Sequence, residues 1–209
     1  MCGIVGFLDK EKIKGRTIKN MTNRIMHRGP DEEGYYADED IALGHRRLSI
    51  IDEKNGSQPM LSDDKKLIIV FNGEIYNYKE LREELINKNY VFKTESDTEV
   101  LLNSYREWGH NVVEKLRGMF SFAIWDKENK TLFCARDNFG IKPFYYYKND
   151  EVFMFSSEIK SFLEHPKFKK ELNKDLLGPY LSFSFTPTNE TFFKGVYSLD
   201  PRMYHDCKR

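Results

Sequence analysis

The sequence is short of cysteine. It has three, Cys2, Cys134 and Cys207, far apart and with no CxxC pair. That spacing builds no disulfide framework, and it points to a reducing compartment, the cytoplasm. The histidines, His27, His45, His110, His165 and His205, stand at no ligand spacing from any cysteine, so no metal site is expected. A charge excess is missing as well. Lys and Arg number 33 and so do Asp and Glu, which leaves no electrostatic footprint for nucleic acid or an anionic membrane. No apolar run approaches the roughly 20 residues of a membrane helix. The start lacks the basic stretch of a signal peptide, and its apolar run stops at Asp9. There is no repeat, no low-complexity segment and no Gly/Ser linker. A chain of 209 residues then reads as one continuous α+β domain with a C-terminal tail.

What the chain does have is many short apolar runs rich in Val, Ile, Phe and Tyr, bounded by Gly, Asp or Asn. They predict strands over 3–8, 34–37, 41–50, 67–72, 119–126, 131–136, 143–147 and 152–156. Helical spacing lies between some of them: Tyr78, Leu81 and Leu85 recur at i, i+3 and i+7, and Val100, Leu101, Ser104, Tyr105 and Trp108 form one stripe. Further helices are expected at 17–27, 157–163 and 174–182. Runs that follow each other through short turns, as in 119–156, predict antiparallel hairpins rather than a βαβ wind.

Four short stretches carry chemistry, and each has a plainer alternative. "MCGIVGF" puts Cys2 beside the amino terminus. If Met1 is removed, Cys2 carries a free α-amine with a reference pKa of about 7.7–8.0, a suitable proton acceptor for its own thiol. The plainer reading is a buried thiol at the head of a strand. "FNGEIYN" (71–77) follows an apolar run with Asn-Gly, the strongest short hairpin signal. The same Asn72 amide and Gly73 N–H also suit a developing oxyanion. "GHRRLSIID" (44–52) places Arg46 and Arg47 on opposite faces of a strand, one free to meet solvent and one facing inward. The inward arginine takes either a structural carboxylate or a substrate carboxylate. "SDTEVLL" (96–102) reads as a capping box with Ser96 at the N-cap and Glu99 three residues on. Asp97, in the first turn, either serves the helix end or binds a substrate ammonium.

Taken together, "MCGIVGF", "MHRGPDEEGYY", "GHRRLSIID", "QPM", "FNGEIYNYKELREEL", "SDTEVLL", "LRGMFSFAIWD", "ARDNFGIKPFYYY" and "FSSEIKSFL" resemble the glutaminase domain of class II glutamine amidotransferases of the asparagine synthetase type. The resemblance covers about residues 2–199. It implies a four-layer αββα sandwich of the N-terminal-nucleophile hydrolase kind. It implies Cys2 as nucleophile with its own amine as base, and Asn72 and Gly73 as the oxyanion hole. It further implies Arg47 on the glutamine carboxylate, Asp97 with backbone near Glu74 on the ammonium, and main chain at Ile50 and Ile51 in the same pocket. No cofactor is implied for this chain, since the family's ATP and magnesium belong to a synthetase domain whose SGG-type loop is missing from it. Residues 200–209 are expected to be a tail, the start of that domain or a linker. The implied partners are glutamine and a synthetase domain or subunit that takes the ammonia, with a homodimer as a further possibility. Other class II branches, a non-catalytic docking domain of the same fold, and a papain-like pairing of Cys2 with His27 or His45 are the competing readings. Retention of Met1 would favour the docking domain over the catalytic glutaminase reading.

Overall fold

The run Leu67-Ile68-Ile69-Val70 offers no polar side chain for a solvent face, so a strand made from it needs cover on both sides. The computed structural model, which describes residues 1–10, 14–49, 55–201 and 204–208, supplies that cover. Among the described residues the strands are β1 (Gly3–Leu8), β2 (Glu32–Ala37), β3 (Ile41–Arg47), β4 (Met60–Leu61), β5 (Leu67–Ile75), β6 (Gly118–Asp126), β7 (Thr131–Arg136), β8 (Tyr145–Lys148), β9 (Phe153–Ser156), β10 (Val196–Ser198) and β11 (Tyr204–Lys208). The helices are α1 (Lys14–Asn23), α2 (Tyr78–Asn87), α3 (Asp97–Trp108), α4 (Val112–Lys115) and α5 (Leu177–Phe183). One sheet runs β10-β8-β9-β1-β3-β2 and the other β11-β7-β6-β5-β4, with every neighbouring pair antiparallel.

The period of two sorts each strand between two cores. Ile68 and Val70 of β5 join Ile4, Leu43 and Trp125 in a middle layer between the sheets. Ile69 and Phe71 point the other way and meet Leu81 and Leu85 of α2 and Val100 and Leu101 of α3. On the opposite outside, Val5, Phe7 and Ala42 meet Ile18 and Met21 of α1. The result is the αββα sandwich that the resemblance implies.

Several boundaries shift for local reasons. The helix expected over 17–27 is α1, displaced towards the N-terminus and followed by a separate 3₁₀ turn at Met26–Arg28. The helix expected at 157–163 is a 3₁₀ stretch, Ile159–Glu164, and 174–182 divides into a 3₁₀ turn and α5. Within the segment read as a tail, Tyr204–Lys208 pairs with β7 and becomes the sheet edge. The Asn72-Gly73 hairpin does not form. Both residues lie inside β5, in register with Ser121 and Phe120 of β6. Gly73 is needed for closeness rather than for a positive φ. A Cβ there would stand 2.3 Å from the Met119 carbonyl oxygen and 2.7 Å from the Phe120 Cα.

Candidate active site

The same alternation that fills the middle layer with apolar side chains turns polar at one end of it. Along β1 the inward positions step from Ile4 to Cys2. Along β3 they step from Leu43 through His45 to Arg47, and along β5 from Val70 to Asn72. A pocket of about 90 Å³ opens there, lined by Cys2, Arg47, Asn72, Gly73, Glu74 and Asp97 among others. Cys2 comes from one sheet and the Asn72-Gly73 pair from the other. His45 ties the two sheets beside the pocket by donating its Nε2 hydrogen to the Phe71 carbonyl oxygen at 3.1 Å.

Cys2 is held from two sides. Its carbonyl oxygen accepts from Arg28 Nε at 2.9 Å, and its Sγ accepts the Leu48 N–H at 3.4 Å. Burial pushes the thiol pKa up, and the Asp97 charge adds to that. The Leu48 hydrogen bond, the amino terminus and Arg47 pull it down without cancelling the rise. A thiol in that state needs a base.

Asn72 is fully buried, and neither atom of its side-chain amide has a hydrogen-bond partner among the described residues. A buried amide left unpaired costs free energy, about 1–3 kcal/mol, and it lines the pocket. Gly73 adds a second donor through the geometry of the sheet. Tyr76 N–H bonds the Arg117 oxygen, and the Phe120 main chain is turned to Asp137, so residues 71, 73 and 75 face away from β6. The Phe71 N–H goes to Gln58 Oε1 at 2.6 Å and the Ile75 N–H to Asp97 Oδ2 at 3.0 Å. The Gly73 N–H lies between them on the pocket edge. By the same alternation the Glu74 main chain pairs with Met119. Glu74 itself also lines the pocket.

Both arginines of β3 are buried, which corrects the expectation that one meets solvent. Arg46 is structural: it pairs with Glu33 at 2.6 Å and reaches Asn23 at the end of α1. Arg47 lines the pocket and pairs with Glu32 at 3.1 Å, so its structural carboxylate is present in the folded chain. Ile50 and Ile51 lie outside the described residues.

Asp97 opens α3. Ser96 Oγ accepts the Glu99 N–H at 3.2 Å, as a capping box requires. The Glu99 carboxylate departs from the motif: it takes the N–H groups of Lys93 and Thr94 instead of that of Ser96. Burial, with the Glu74 charge adding to it, pushes the Asp97 pKa up to about 6 against the pull of the Ile75 N–H. The unfolded chain releases this proton near pH 3.9, so the native state binds it more tightly. Asp97 is therefore most favourable to folding below about pH 4, and that contribution is lost as pH rises through 6. Asp97→Asn is expected to stabilise the free protein at pH 7.5 by on the order of 2 kcal/mol. Urea denaturation at pH 4 and pH 7.5 checks this, and equal stability changes at both would refute it.

The loops without a role in the sequence acquire one. In "RGPD", Arg28 grips Cys2, Gly29 lets the chain lie against the Arg46 backbone, and Asp31 accepts the Ser49 N–H at 2.9 Å. In "QPM", Gln58 joins the Phe71 N–H to the Thr98 hydroxyl, linking β5 to the start of α3. No periodicity marks either motif, because their contacts are made only in the folded chain. The papain-like pairing fails on geometry. His27 pairs with Glu158 at the surface, and His45 is bonded to Phe71 with burial pulling its pKa down to about 4.

An αββα sandwich of two antiparallel sheets, with a cysteine at the head of β1, is the N-terminal-nucleophile hydrolase fold. The family model described as a glutamine amidotransferase domain matches residues 1–209. The chain belongs to that family. It is 48% identical over 207 residues to asparagine synthetase (glutamine-hydrolyzing) 1 of Bacillus subtilis (strain 168), which covers 96% of this chain and 32% of that protein. It is 40% identical over 207 residues to asparagine synthetase (glutamine-hydrolyzing) 3 of the same organism, covering 96% and 34%. The chain thus spans about a third of the length of these curated relatives. Its fold matches glutamine phosphoribosylpyrophosphate amidotransferase from B. subtilis with a TM-score of 0.69 at 22% identity, over 82% of this chain and 45% of that one. A second match, an allosteric regulatory enzyme of purine biosynthesis, has a TM-score of 0.65 at 23% identity, over 78% and 43%.

Proposed function

We propose that this chain hydrolyses glutamine to glutamate and ammonia at Cys2, as the ammonia-supplying part of a glutamine-dependent asparagine synthetase. The observation that carries this reading is Asn72, a buried amide with no partner in the folded chain, set across the middle layer from a thiol. With Met1 gone, the Cys2 α-amine takes the thiol proton. Sγ attacks the glutamine side-chain carbonyl, and the electron pair moves to its oxygen, where the Asn72 Nδ2 and Gly73 N–H groups receive it. The α-ammonium then gives its proton to the leaving nitrogen, the C–N bond breaks and ammonia departs. The amine next activates water, which attacks the thioester and releases glutamate.

The two fixed charges of the amino acid select the rest of the pocket. Arg47 meets the α-carboxylate and Asp97 the α-ammonium. ATP and magnesium belong on this reading to a synthetase domain or subunit that receives the ammonia, and the setting is cytoplasmic.

The direct test is a glutamine-to-glutamate assay on protein that begins at Cys2. Arg47→Ala is expected to raise KM by about one to two decades, the worth of a charge-assisted contact. KM is also expected to rise about tenfold per unit as pH falls below 6, because Asp97 takes up a proton there and loses its attraction for the ammonium. A folded chain with no glutaminase activity would favour the docking-domain reading. A KM unmoved by both Arg47→Ala and acid would place glutamine elsewhere.

A further inference from the structure

The loop after β7 is built around one carboxylate. Asp137, fully buried, accepts from the N–H groups of Phe139, Ile141 and Lys142, and from that of Phe120 on β6. Arg136 closes the other side by donating to the carbonyl oxygens of Gly140, Lys142 and Leu199. These contacts fix the backbone from 137 to 142 through main-chain atoms. None of them uses the Lys142 side chain.

That side chain turns inward. Lys142 is 5% exposed and lines the same pocket as Cys2. Among the described residues its ammonium forms no ion pair. Its one polar contact among the described residues is the Met1 thioether sulfur, 3.3 Å away. A buried ammonium whose partner is a neutral sulfur is a costly feature unless another anion takes that place. Met1 is also the residue whose removal frees the Cys2 amine. Once it has gone, the Lys142 ammonium keeps Cys2, Asp137 and Glu74 as the groups that draw it, Cys2 the foremost.

We propose that Lys142 is the electrostatic partner of Cys2, holding the thiol in its thiolate form once Met1 has left. When the thiol proton passes to the α-amine, the negative charge left on Sγ sits opposite a cation that the loop has already placed. The other charged groups around this point come from several elements. Arg47 on β3, Asp97 on α3 and the amino terminus act on Cys2. Arg28, Asp137 and Glu74 act on Lys142. Burial, and then Arg28, push the Lys142 pKa down, while Cys2, Asp137 and Glu74 pull it back up. An anion at Cys2 and a cation at Lys142 therefore favour each other.

The inference rests on the proposed role of Cys2 but is tested without glutamine. The rate at which iodoacetamide alkylates Cys2 is measured against pH on protein that begins at Cys2, with the modified peptide identified by mass. Lys142→Met is expected to move the midpoint of that profile up by about one pH unit, which is about tenfold less thiolate at neutral pH. Lys142→Arg, which keeps the charge, is expected to return most of the shift. A Lys142→Met profile that superimposes on the parent's would overturn the proposal. So would a Lys142→Arg profile displaced as far as that of Lys142→Met, since the charge would then not be what matters. Thermal melts accompany each variant, and Lys142→Gln replaces Lys142→Met under the same criteria if the latter does not fold. A Lys142-dependent profile in a chain that hydrolyses no glutamine would remove the proposed function and leave this inference standing. Glutamine hydrolysis with an unmoved profile would do the reverse.

Discussion

Protein that keeps Met1 is expected to show no glutaminase activity above background while folding normally. Two separate causes act in the same direction. The first is chemical. With Met1 attached, the Cys2 nitrogen is an amide and cannot accept a proton, and general base catalysis is worth about 10²–10⁴ in rate. The half-buried thiol, its pKa already pushed up, then has no base of its own residue to ionise it. The second is steric. Met1 lines the pocket, with its sulfur at Lys142, and the free space there is about 90 Å³. A glutamine head group has to share that space with a methionine side chain. The measurement compares protein released by a protease to begin at Cys2 with protein carrying Met1 or a short tag, using intact mass to confirm each terminus. Full activity in the extended form would sink the terminal-amine mechanism. Cys2→Ser in the released form is the companion variant: it keeps the base, weakens the nucleophile and should leave melting unchanged.

The second large effect is expected at Asn72. Asn72→Ala should lower kcat by roughly 10²–10³ with little change in KM, because an oxyanion donor acts on the transition state rather than on the bound amide. Stability should move the other way. The hairpin reading of Asn-Gly would make alanine destabilising through a strained turn. In β5 there is no such turn, and the Asn72 amide forms no hydrogen bond to lose. Removing a buried polar group that has no partner is expected to leave melting unchanged or to raise it. Asn72→Asp is the sharper variant, since it keeps the shape and sets a negative charge against the developing oxyanion. Near-normal kcat in Asn72→Asp would leave Gly73 as the single donor. A loss of stability matching the loss of rate in Asn72→Ala would assign the residue to the fold instead.

The sandwich was legible because its strands announce themselves twice, by apolar runs and by what bounds them. Leu67–Val70 has to be covered on both faces, and that one requirement already implies layers outside the sheets. Short elements escaped. The two residues of β4 and the three of β10 carry too little pattern, and both are placed by the strands they pair with. Residues 204–208 read as a tail because "YHDCK" alternates weakly, yet the unpaired edge of β7 accepts it. The site was legible where a residue type is hard to explain otherwise, as with a cysteine at position 2 or an arginine in a strand. Asn72 was the ambiguous case, since the dipeptide is the same in a turn and in an oxyanion hole. Its register with Ser121 removes the turn. Arg28, Gln58 and Lys142 were not legible, because each acts through a partner distant in sequence.

The two halves of the site hang on different sheets, Cys2 on the first and Asn72 with Gly73 on the second. On the proposed mechanism the distance between nucleophile and oxyanion donors is set by whatever separates the sheets, and that is a layer of hydrocarbon. Ile4, Leu43, Val70 and Trp125 serve as a spacer between the sheets, with the His45–Phe71 bond as its clamp. A methylene added or removed there touches no reacting atom, yet it resets a gap in which reacting atoms need to stand about 3–3.5 Å apart. In this fold the oily middle of the protein is a gauge block for its chemistry, and substitutions that look like ordinary packing changes should surface as changes in kcat before they surface as unfolding.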